Sequence, residues 1–471
     1  MPQRRSHVAP SAAQTELATA LAALRESLDV PVEFPAEVRA EAEASRSVPP
    51  ELDLRDVPFV TLDPKGSRDL DQAFRLERRT GGYTARYAIA DVPGSIEPGG
   101  AVDAEARRRG QTLYAADGSI PLHPRVLSED RASLLADVDR PALVWTFALD
   151  DAGVVSDSRV ERALIRSRAQ LDYVTTQAAL DRGEDGPWAL LPEVGALRIE
   201  QERLRGGASL NLPDEEVVRT EDGTYAIERR RPLPVEEWNA QLSLMTGMAA
   251  ASLMLDAGVG ILRTMPEPDE KSFDAFRHQT EALGRPWTSG EYGEYLRSLD
   301  RADPLTLPVL EAASMLFRGA GYVAFDGEAP SATVQAAIGA PYAHATAPLR
   351  RLVDRWSLAI CLAVSRGEEA PAWARDSLAQ LPALMLESGQ RASRLNSATV
   401  NAVEAALLTP LVGATIAATV IELRGERATI QISEPAVTAS APVPDGAKPG
   451  DVVHLRVIRA DIGRGEIEFA V

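Results

Sequence analysis

The pattern of apolar and polar residues changes twice along the chain. From about residue 57, runs such as FVTL, YTARYAIADV and ALVWTFAL are rich in β-branched and aromatic residues, which is typical of strands. The stretch TGGYT separates two such runs and predicts a hairpin. The middle of the chain has helical spacing, and after Pro410 short strand-like runs alternate with glycine-containing turns. The sequence therefore predicts an α+β fold with a β-rich carboxyl end.

Two predicted helices have a proline at the start and a glycine just beyond the end. LPVEEWNAQLSLMTGMAAASLMLDAG contains Pro234 and Gly258, and PLRRLVDRWSLAICLAVSRG contains Pro348 and Gly367. Proline suits the first turn of a helix because the N–H it lacks has no partner there, and glycine suits the position after the last turn. We therefore predict one helix with Pro234 near its start and a second helix that starts at Pro348.

The same patterns divide the chain into three parts. Residues 1–50 contain a helical run and then a Pro- and Glu-rich stretch, which predicts a peripheral helical extension or linker. Residues 51–405 predict the main domain. Residues 411–471 predict a five-stranded OB-type barrel, because a segment of this length with short strands and frequent turns is typical of that fold.

Composition limits the class of protein. The chain has 471 residues, of which 45% are hydrophobic, so it is long enough for about two or three domains. The one cysteine, Cys361, excludes an internal disulfide and fits a reducing cytoplasm. The apolar runs are too short to span a bilayer, so we expect a cytoplasmic protein with no membrane partner. The net charge of −19 argues against a non-specific nucleic-acid coat but permits a nucleic-acid enzyme with a local positive channel.

The stretch VTLDPKGSRDLDQAF gathers three carboxylates, Asp63, Asp69 and Asp71, between apolar strands. Unpaired charge is costly in such a place. The spacing does not match the calcium loop of an EF-hand. A solvated acidic turn and a site for one or two Mg²⁺ ions, which could activate water against a phosphodiester, both remain open on spacing alone.

Four blocks in the same order resemble the ribonuclease II/R (RNB) family. TLDPKGSRDLDQAF resembles its acidic signature, and YAIADVPGSIEPGGAVDAEARRRGQTLYAADGSIPLHPRVLSED resembles its next block. LPVEEWNAQLSL resembles its E-E helix, and YAHATAPLRRLVDRW resembles its Y-x-H-x-T-S-P-I-R-R-Y motif. The four blocks extend over residues 61–356, and the predicted terminal barrel matches the RNA-binding domain with which the family usually ends.

The resemblance implies both a fold and an activity. The expected fold is an RNB catalytic domain, with a mixed or antiparallel sheet, a helical bundle and a central RNA channel, followed by the OB-type barrel. The family consists of processive 3′→5′ exoribonucleases that need Mg²⁺ and release nucleoside 5′-monophosphates from single-stranded RNA. The implied cofactor is one or two Mg²⁺ ions, with Mn²⁺ as a substitute, and the implied partner is single-stranded RNA. We expect a monomer with no obligatory protein partner, in a short form without the amino-terminal cold-shock domains.

The resemblance also assigns roles to individual residues. Asp63, Asp69 and Asp71 are the implied metal ligands, and together with Arg350, beside the scissile phosphate, they are the implied catalytic residues. The implied substrate-binding residues are Tyr114, Tyr173, Glu236, Glu237, Leu210 and Arg351, of which one Glu of the pair lies near the terminal ribose.

Physical chemistry bears on some of these roles independently. The helix dipole disfavours cations in the first turn of a helix, whereas anions bind there readily. Arg350 and Arg351 in this position therefore favour a phosphate bound nearby. The alternative is that both point to solvent. Tyr114 stacked on a base could contribute about 1–3 kcal/mol, but a tyrosine in a β-rich segment is more often half-buried core. For His344 we expect a structural role, and for the runs Arg107–Arg109 and Arg229–Arg231 a solvated surface.

The chain departs from the family at several positions. Gln72 stands where the family has a fourth Asp, and Leu210 where it usually has a Phe that clamps the last base. Ser243, Ala347 and Leu352 also replace usual residues. Two hypotheses follow: an active exoribonuclease, or an RNB-fold RNA-binding protein with weak or lost catalysis. A metal-dependent enzyme acting on another phosphate ester is a third, which the terminal barrel disfavours.

Overall fold

The computed structural model describes residues 4–7, 12–115, 118–208, 210, 214–219, 225–300, 303, 306–425 and 427–471. The strands are β1 (Arg4–His7), β2 (Leu52–Asp53), β3 (Phe59–Asp63), β4 (Gln72–Arg79), β5 (Gly82–Ala90), β6 (Leu113–Ala115), β7 (Gly118–Ile120), β8 (Asp139–Leu149), β9 (Val155–Asp172), β10 (Asp214–Arg219), β11 (Tyr225–Arg230), β12 (Val259–Thr264), β13 (Gly321–Asp326), β14 (Val334–Gln335), β15 (Ala340–Pro341), β16 (Thr415–Arg424), β17 (Arg427–Ser433), β18 (Ala436–Pro442), β19 (Val452–Asp461) and β20 (Glu466–Ala470).

The helices are α1 (Ala12–Ser27), α2 (Ala36–Ala44), α3 (Ala101–Arg109), α4 (Tyr173–Asp181), α5 (Leu191–Leu204), α6 (Pro234–Ala257), α7 (Glu270–Ala282), α8 (Tyr292–Ser298), α9 (Thr306–Ala313), α10 (Leu352–Ser365), α11 (Ala372–Arg375) and α12 (Leu381–Leu408). A π-helical turn covers Leu127–Arg131, and 3₁₀ turns cover Ser314–Leu316, Leu378–Gln380 and Thr409–Leu411. No helix in these ranges is both long enough and apolar enough to cross a bilayer.

The central sheet closes on itself because its longest strand pairs twice. The first part of β9 runs antiparallel to β8, and its last part runs parallel to β3. With β4 and β5 between them, strands β9, β3, β4, β5 and β8 form a ring, to which β2 adds at β9. The predicted TGGYT hairpin is confirmed, since β4 and β5 pair up to Arg79 and Gly82. The acidic stretch therefore lies at the connection between two adjacent strands of this ring.

The two faces of the ring bury side chains of different size. Large residues such as Tyr87, Trp145 and Phe147 belong to the cluster that also contains residues of α6 and α10. Small residues such as Ala88 and Ala142 belong to a second cluster on the alternate positions of the same strands. Leu70 and Leu349 are buried in that second cluster, which brings the acidic stretch and the Pro-Leu-Arg-Arg motif to one place.

Of the two predicted helix starts, one agrees with the structure and one does not. Helix α6 begins at Pro234 and is followed by Gly258 with φ of 68°, so this prediction is confirmed. Helix α10 begins at Leu352 rather than at Pro348, so the second predicted start is wrong. The N–H groups of Arg350 and Arg351 both donate to the carbonyl of Ala347 in a tight turn, and Arg351 has extended backbone. Cys361, in α10, is fully buried, and its thiol lies 3.6 Å from the Ala250 carbonyl of α6.

The amino-terminal segment is packed against the rest of the chain. Leu17 and Leu21 of α1 are buried in one cluster with residues of α12 and of the carboxyl-terminal strands. The carboxylate of Glu41 in α2 accepts hydrogen bonds from the N–H groups of Ala101 and Val102, at 2.5 and 3.1 Å, and so caps α3. The described part of residues 1–50 therefore contributes to the core.

The carboxyl-terminal strands form the predicted barrel-like sheet. They lie in the order β18-β17-β16-β19-β20, and all four pairings are antiparallel. The expected α+β fold with a terminal five-stranded OB-type domain is confirmed.

Candidate active site

The acid loop, residues 63–72, connects β3 to β4. Leu70 is fully buried in its middle. The Leu70 N–H donates to the Ser133 hydroxyl at 3.0 Å, the Ser133 hydroxyl donates to the Arg68 carbonyl at 2.5 Å, and the Leu134 N–H donates to the Leu70 carbonyl at 3.0 Å. The neighbouring Asp71 is 3% exposed. Burial of Leu70 therefore fixes the loop and directs Asp71 into the protein.

Asp71 is held by the arginine turn, which we define as residues 346–351. The Leu349 N–H donates to Asp71 Oδ1 at 2.8 Å, and Arg350 Nε donates to Asp71 Oδ2 at 3.2 Å. The Arg350 side chain is nevertheless 45% exposed. The buried carboxylate fixes one edge of the guanidinium while the rest stays accessible to an anion.

Other residues fix the remaining groups of the arginine turn. Gln72 Nε2 donates to the Thr346 carbonyl, and the Ala347 N–H donates to Asp354 Oδ1 at 2.7 Å. His123 Nε2 donates to the Pro348 carbonyl at 3.3 Å, and the Thr112 N–H donates to the Arg350 carbonyl at 2.9 Å. Because these partners come from distant parts of the chain, tertiary contacts rather than local helix formation set the geometry of the turn.

Electrostatics place the three aspartates near one another. Burial raises the pKa of Asp63 to about 7; the charge of Arg350 opposes this shift, and that of Asp69 adds to it. Burial likewise raises the pKa of Asp71 to about 7, again with Arg350 opposing and Asp69 adding. Burial also raises the pKa of Asp69. A cation in this region would relieve the cost of ionising all three carboxyl groups.

The acid loop offers two of its three aspartates to a cation. Asp63 Oδ2 is buried without a hydrogen-bond partner. Both oxygens of Asp71, in contrast, accept hydrogen bonds from the arginine turn. Within the ranges that the structure describes, no three His, Cys, Asp or Glu side chains form a metal-binding group. Asp63 and Asp69 fit a hard cation such as Mg²⁺, which needs few carboxylates and keeps several waters.

Two tyrosines flank the acid loop. Tyr114, on β6, is 59% exposed, and desolvation raises its pKa to about 12 against the opposing charge of Arg350. Tyr173 is the first residue of α4, and its hydroxyl accepts a hydrogen bond from Asn239 at 3.4 Å. Burial raises the pKa of Tyr173 to about 12, and Asp63 adds to the shift. Both tyrosines therefore lie close enough to the charged groups of the site for those charges to shift their pKa values.

Asn239 was missed by the sequence analysis. It is 8% exposed on α6, and its amide lies 3.5 Å from the Leu62 carbonyl as well as near Tyr173. Its signal in the sequence was a polar residue at helical spacing between the apolar residues Val235 and Leu242, which are both buried. Ser243, one turn further, contacts the Tyr87 hydroxyl at 2.8 Å. These contacts tie α6 to the ring beside Asp63.

The two glutamates predicted to lie near the terminal ribose stand at the start of α6. The Glu236 carboxylate accepts hydrogen bonds from Arg230 Nη1 at 2.6 Å and Nη2 at 3.1 Å. It also accepts one from the Leu233 N–H at 3.0 Å. It therefore caps the helix. Glu237, the next residue, is half-buried, as is Glu236, so burial does not show which of the two faces the substrate.

The structure places two further predicted residues in packing roles. Arg351 Nη2 donates to Asp354 Oδ1 at 2.8 Å, so its guanidinium braces the arginine turn from inside. Leu210 packs against the cluster formed by α7, α8 and α9, with Phe317 among its members. These contacts alone do not place either residue beside the acid loop.

Two other expectations can be compared with the structure. His344 Nδ1 lies 2.7 Å from the Tyr322 hydroxyl, and burial lowers its pKa well below the usual value, which agrees with a structural role. The expected solvated surface at Arg107–Arg109 is wrong for Arg109, which is 2% exposed and donates to Glu105 at 2.7 Å. Helix α3 buries this arginine because its acidic partner lies one turn away. In the other run, the Arg229 side chain lies outside the described part of the structure, and Arg230 binds Glu236.

Comparison with known proteins agrees with this geometry. Residues 51–360 match the family model described as the RNB domain, and residues 414–471 match that of the RNase II-type exonuclease C-terminal S1 domain. Ribonuclease R of Escherichia coli is 29% identical over 337 residues, which cover 68% of this chain and 40% of that protein. Exosome complex exonuclease RRP44 homolog A of Arabidopsis thaliana is 30% identical over 329 residues, which cover 65% of this chain and 35% of that protein. The match thus spans about two fifths of the length of these relatives.

Solved structures share the fold at low sequence identity. Mycoplasma genitalium RNase R in complex with ribose-methylated single-stranded RNA has a TM-score of 0.86 and 18% identity, covering 97% of this chain and 78% of that chain. The yeast pseudonuclease Ssd1 has a TM-score of 0.75 and 15% identity, covering 90% of this chain and 55% of that chain. The same architecture therefore occurs in a protein described as a pseudonuclease.

Proposed function

The chain belongs to the RNB family, and from that premise we propose that it is a divalent-metal-dependent exoribonuclease. In this proposal it hydrolyses single-stranded RNA processively from the 3′ end and releases nucleoside 5′-monophosphates. The observation that carries the proposal is the contact between Asp71 and Arg350. The buried Asp71 carboxylate aligns the Arg350 guanidinium, whose side chain is half-exposed. The acid loop beside it contains Asp63, whose Oδ2 has no hydrogen-bond partner. Such an arrangement suits a phosphate held between an arginine and a cation.

The residues of the chain act first by holding the RNA end. Tyr114 offers an accessible ring for stacking on a terminal base, which is worth about 1–3 kcal/mol. The open side of Arg350 faces the scissile phosphate and stabilises the charge that develops on it. Because Asp71 and the Leu349 N–H fix this arginine before substrate arrives, little orientation is lost when the phosphate binds.

In the reaction, water attacks the last phosphorus atom and the bond from phosphorus to the preceding 3′-oxygen breaks. The water proton goes to solvent, and the leaving 3′-oxygen takes up a proton from solvent. A cation held by Asp63 and Asp69, Mg²⁺ or Mn²⁺, would supply charge neutralisation and a water of lowered pKa.

A labelled oligoribonucleotide tests the proposal. With a 5′ label and Mg²⁺, we expect a ladder that shortens in one-nucleotide steps, release of nucleoside 5′-monophosphates, and arrest by EDTA. A DNA strand of the same sequence and the Asp71→Asn variant serve as controls. RNA that stays intact over a range of Mg²⁺ and Mn²⁺ concentrations would contradict the proposal.

A second candidate is an RNA-binding protein with weak or lost catalysis. Gln72 favours it, because the family has a carboxylate at this position, and so does Leu210, which replaces an aromatic clamp. This candidate predicts retention of RNA without mononucleotide release, and cleavage restored by Gln72→Asp. The same gel assay, read beside a filter-binding measurement, separates the two candidates.

Two further expectations belong to the proposal. The lone, buried Cys361 favours a cytoplasmic protein that needs no disulfide, and cell fractionation tests this location. A monomer with no obligatory protein partner is expected to degrade RNA on its own, which light scattering and an assay with purified protein test together.

A further inference from the structure

The side chain of Gln72 contacts the arginine turn at a different point from Asp71. Gln72 pairs with Ile89 in the strand ladder, and the Ala90 N–H donates to the Asp71 carbonyl at 2.9 Å, so β5 fixes the backbone of both residues. From this fixed base, Asp71 reaches the Leu349 N–H and the Arg350 guanidinium. The Gln72 amide reaches the carbonyl of Thr346 at the other end of the turn. Two consecutive side chains therefore hold both ends of the turn.

The contact at Thr346 requires a hydrogen-bond donor. An amide NH₂ group can donate to a carbonyl, whereas a carboxylate can only accept. An aspartate or glutamate at this position would place a negative charge against the Thr346 carbonyl oxygen and next to Asp71. Asp71, the preceding residue, is already a carboxylate that is 3% exposed, so a further negative charge beside it would be costly.

Resting on the proposed function, we propose that Gln72 is a positioning residue that acts through the arginine turn. Its amide holds the Thr346 end of the turn, so that Leu349 and Arg350 meet Asp71 and the open side of Arg350 faces the scissile phosphate. Position 72 thus serves the alignment of Arg350 and not the binding of a cation. The replacement of a carboxylate by glutamine is a change of role and not a loss of function.

Gln72→Glu is the central variant, because it keeps the length of the side chain and removes the donor. We expect kcat to fall about tenfold or more, with a smaller change in KM, because misplacement of a catalytic group affects the chemical step. Added Mg²⁺ should not restore the rate.

Gln201→Glu is the matched control. The Gln201 amide also donates to a backbone carbonyl, that of Ala152 at 3.1 Å, but on the surface at α5. This variant should keep the wild-type rate and pH profile. Gln72→Met, which removes the donor without adding charge, should lower kcat in the same direction, and its thermal unfolding shows whether the fold is retained.

A double-mutant cycle with Arg350→Ala tests whether Gln72 affects the rate of cleavage through Arg350. If Gln72 acts through Arg350, Gln72→Glu should change the residual rate of the Arg350→Ala enzyme far less than that of the wild type. A Gln72→Glu or Gln72→Met enzyme with wild-type kcat, or a Gln72→Asp enzyme faster than wild type, would overturn the positioning role. A wild-type protein that leaves RNA intact would instead overturn the proposed function, whatever the variants do.

Discussion

Asp71 is the most deeply buried of the three aspartates in the acid loop, and it accepts two hydrogen bonds from the arginine turn. Burial raises its pKa to about 7, while Arg350 and the Leu349 N–H lower it. The ion pair with Arg350 is therefore maintained at a cost in desolvation. Ionising Asp71 is costly, and the carboxylate aligns Arg350. We therefore infer that Asp71 contributes to the function of the site more than to the stability of the fold.

Asp71→Asn should separate these two contributions. The amide oxygen can still accept the Leu349 N–H, but the ion pair with Arg350 is lost. We expect RNA cleavage to fall by about 100-fold or more. The free energy of unfolding should change by only about 1–2 kcal/mol, because the lost pairing is offset by the removal of a buried charge. Single-turnover cleavage and urea unfolding measure the two quantities, and an Asp71→Asn enzyme near the wild-type rate would contradict the role of Asp71.

Asp63 should make cation binding depend on pH. Its pKa near 7 exceeds that of an unfolded Asp, so its ionisation destabilises the fold progressively from about pH 4 to 7, and a bound cation offsets this above pH 7. We expect Mg²⁺ to raise the Tm more at pH 8 than at pH 6.

Two variants show whether Asp63 carries this effect. Asp63→Asn should remove the difference between the two pH values, whereas Asp157→Asn, at an exposed position of β9, should leave it unchanged. Scanning fluorimetry with and without EDTA gives the Tm values. An equal Mg²⁺ effect at both pH values in the wild type would contradict a cation at Asp63.

At the scale of elements, the segment between β7 and the π-helical turn supports the arginine turn through His123. This histidine is 2% exposed and donates to the Pro348 carbonyl. Burial, with the nearby charge of Arg355, lowers its pKa to about 3. The folded protein therefore holds His123 neutral at physiological pH.

Acid should consequently destabilise the folded protein, because protonation of His123 places a charge in a buried position. Because the pKa of His123 is lower in the folded than in the unfolded state, its contribution to stability is complete above about pH 6.5 and is lost as the pH falls toward 3. The slope for one such proton is about 1.4 kcal/mol per pH unit. His123→Gln keeps a donor but does not titrate, so between pH 6 and pH 5 its free energy of unfolding, measured by urea titration, should fall by about 1.4 kcal/mol per pH unit less than that of the wild type. An unchanged slope would contradict the contribution of His123.

The elements that could be predicted from the sequence are those whose ends are determined locally. Proline and glycine mark both ends of α6, and alternation with a glycine pair marks the β4–β5 hairpin. The start of α10 could not be predicted, because contacts with Gly110, Thr112 and Asp71 hold residues 347–351 out of the helix. The same limit applies to the site: residue types and spacing pointed to the aspartates and Arg350, but not to the tertiary contact of Gln72 or to Asn239.

At the scale of the molecule, α1 joins parts that are far apart in the sequence. Leu17 is fully buried among residues that include Val403 of α12 and Val420 of β16. Helix α1 therefore helps to fix the terminal barrel to α12.

Leu17→Ala tests this contribution. A fully buried leucine truncated to alanine typically costs about 2–5 kcal/mol, so the free energy of unfolding should fall by that amount. Leu204→Ala, at a leucine that is 61% exposed, is the matched control and should change stability little. Equal urea midpoints for the two variants would show that α1 is only a loosely attached extension.

The burial of Cys361 has a practical consequence. The chain carries one thiol, and burial between α6 and α10 raises its pKa above the ordinary value, so it reacts slowly with maleimides. A single cysteine introduced at an exposed position, such as Val412 where the barrel begins, would be the preferred site of labelling without prior removal of the native one. A dye at that position would report how the barrel follows RNA during each turnover.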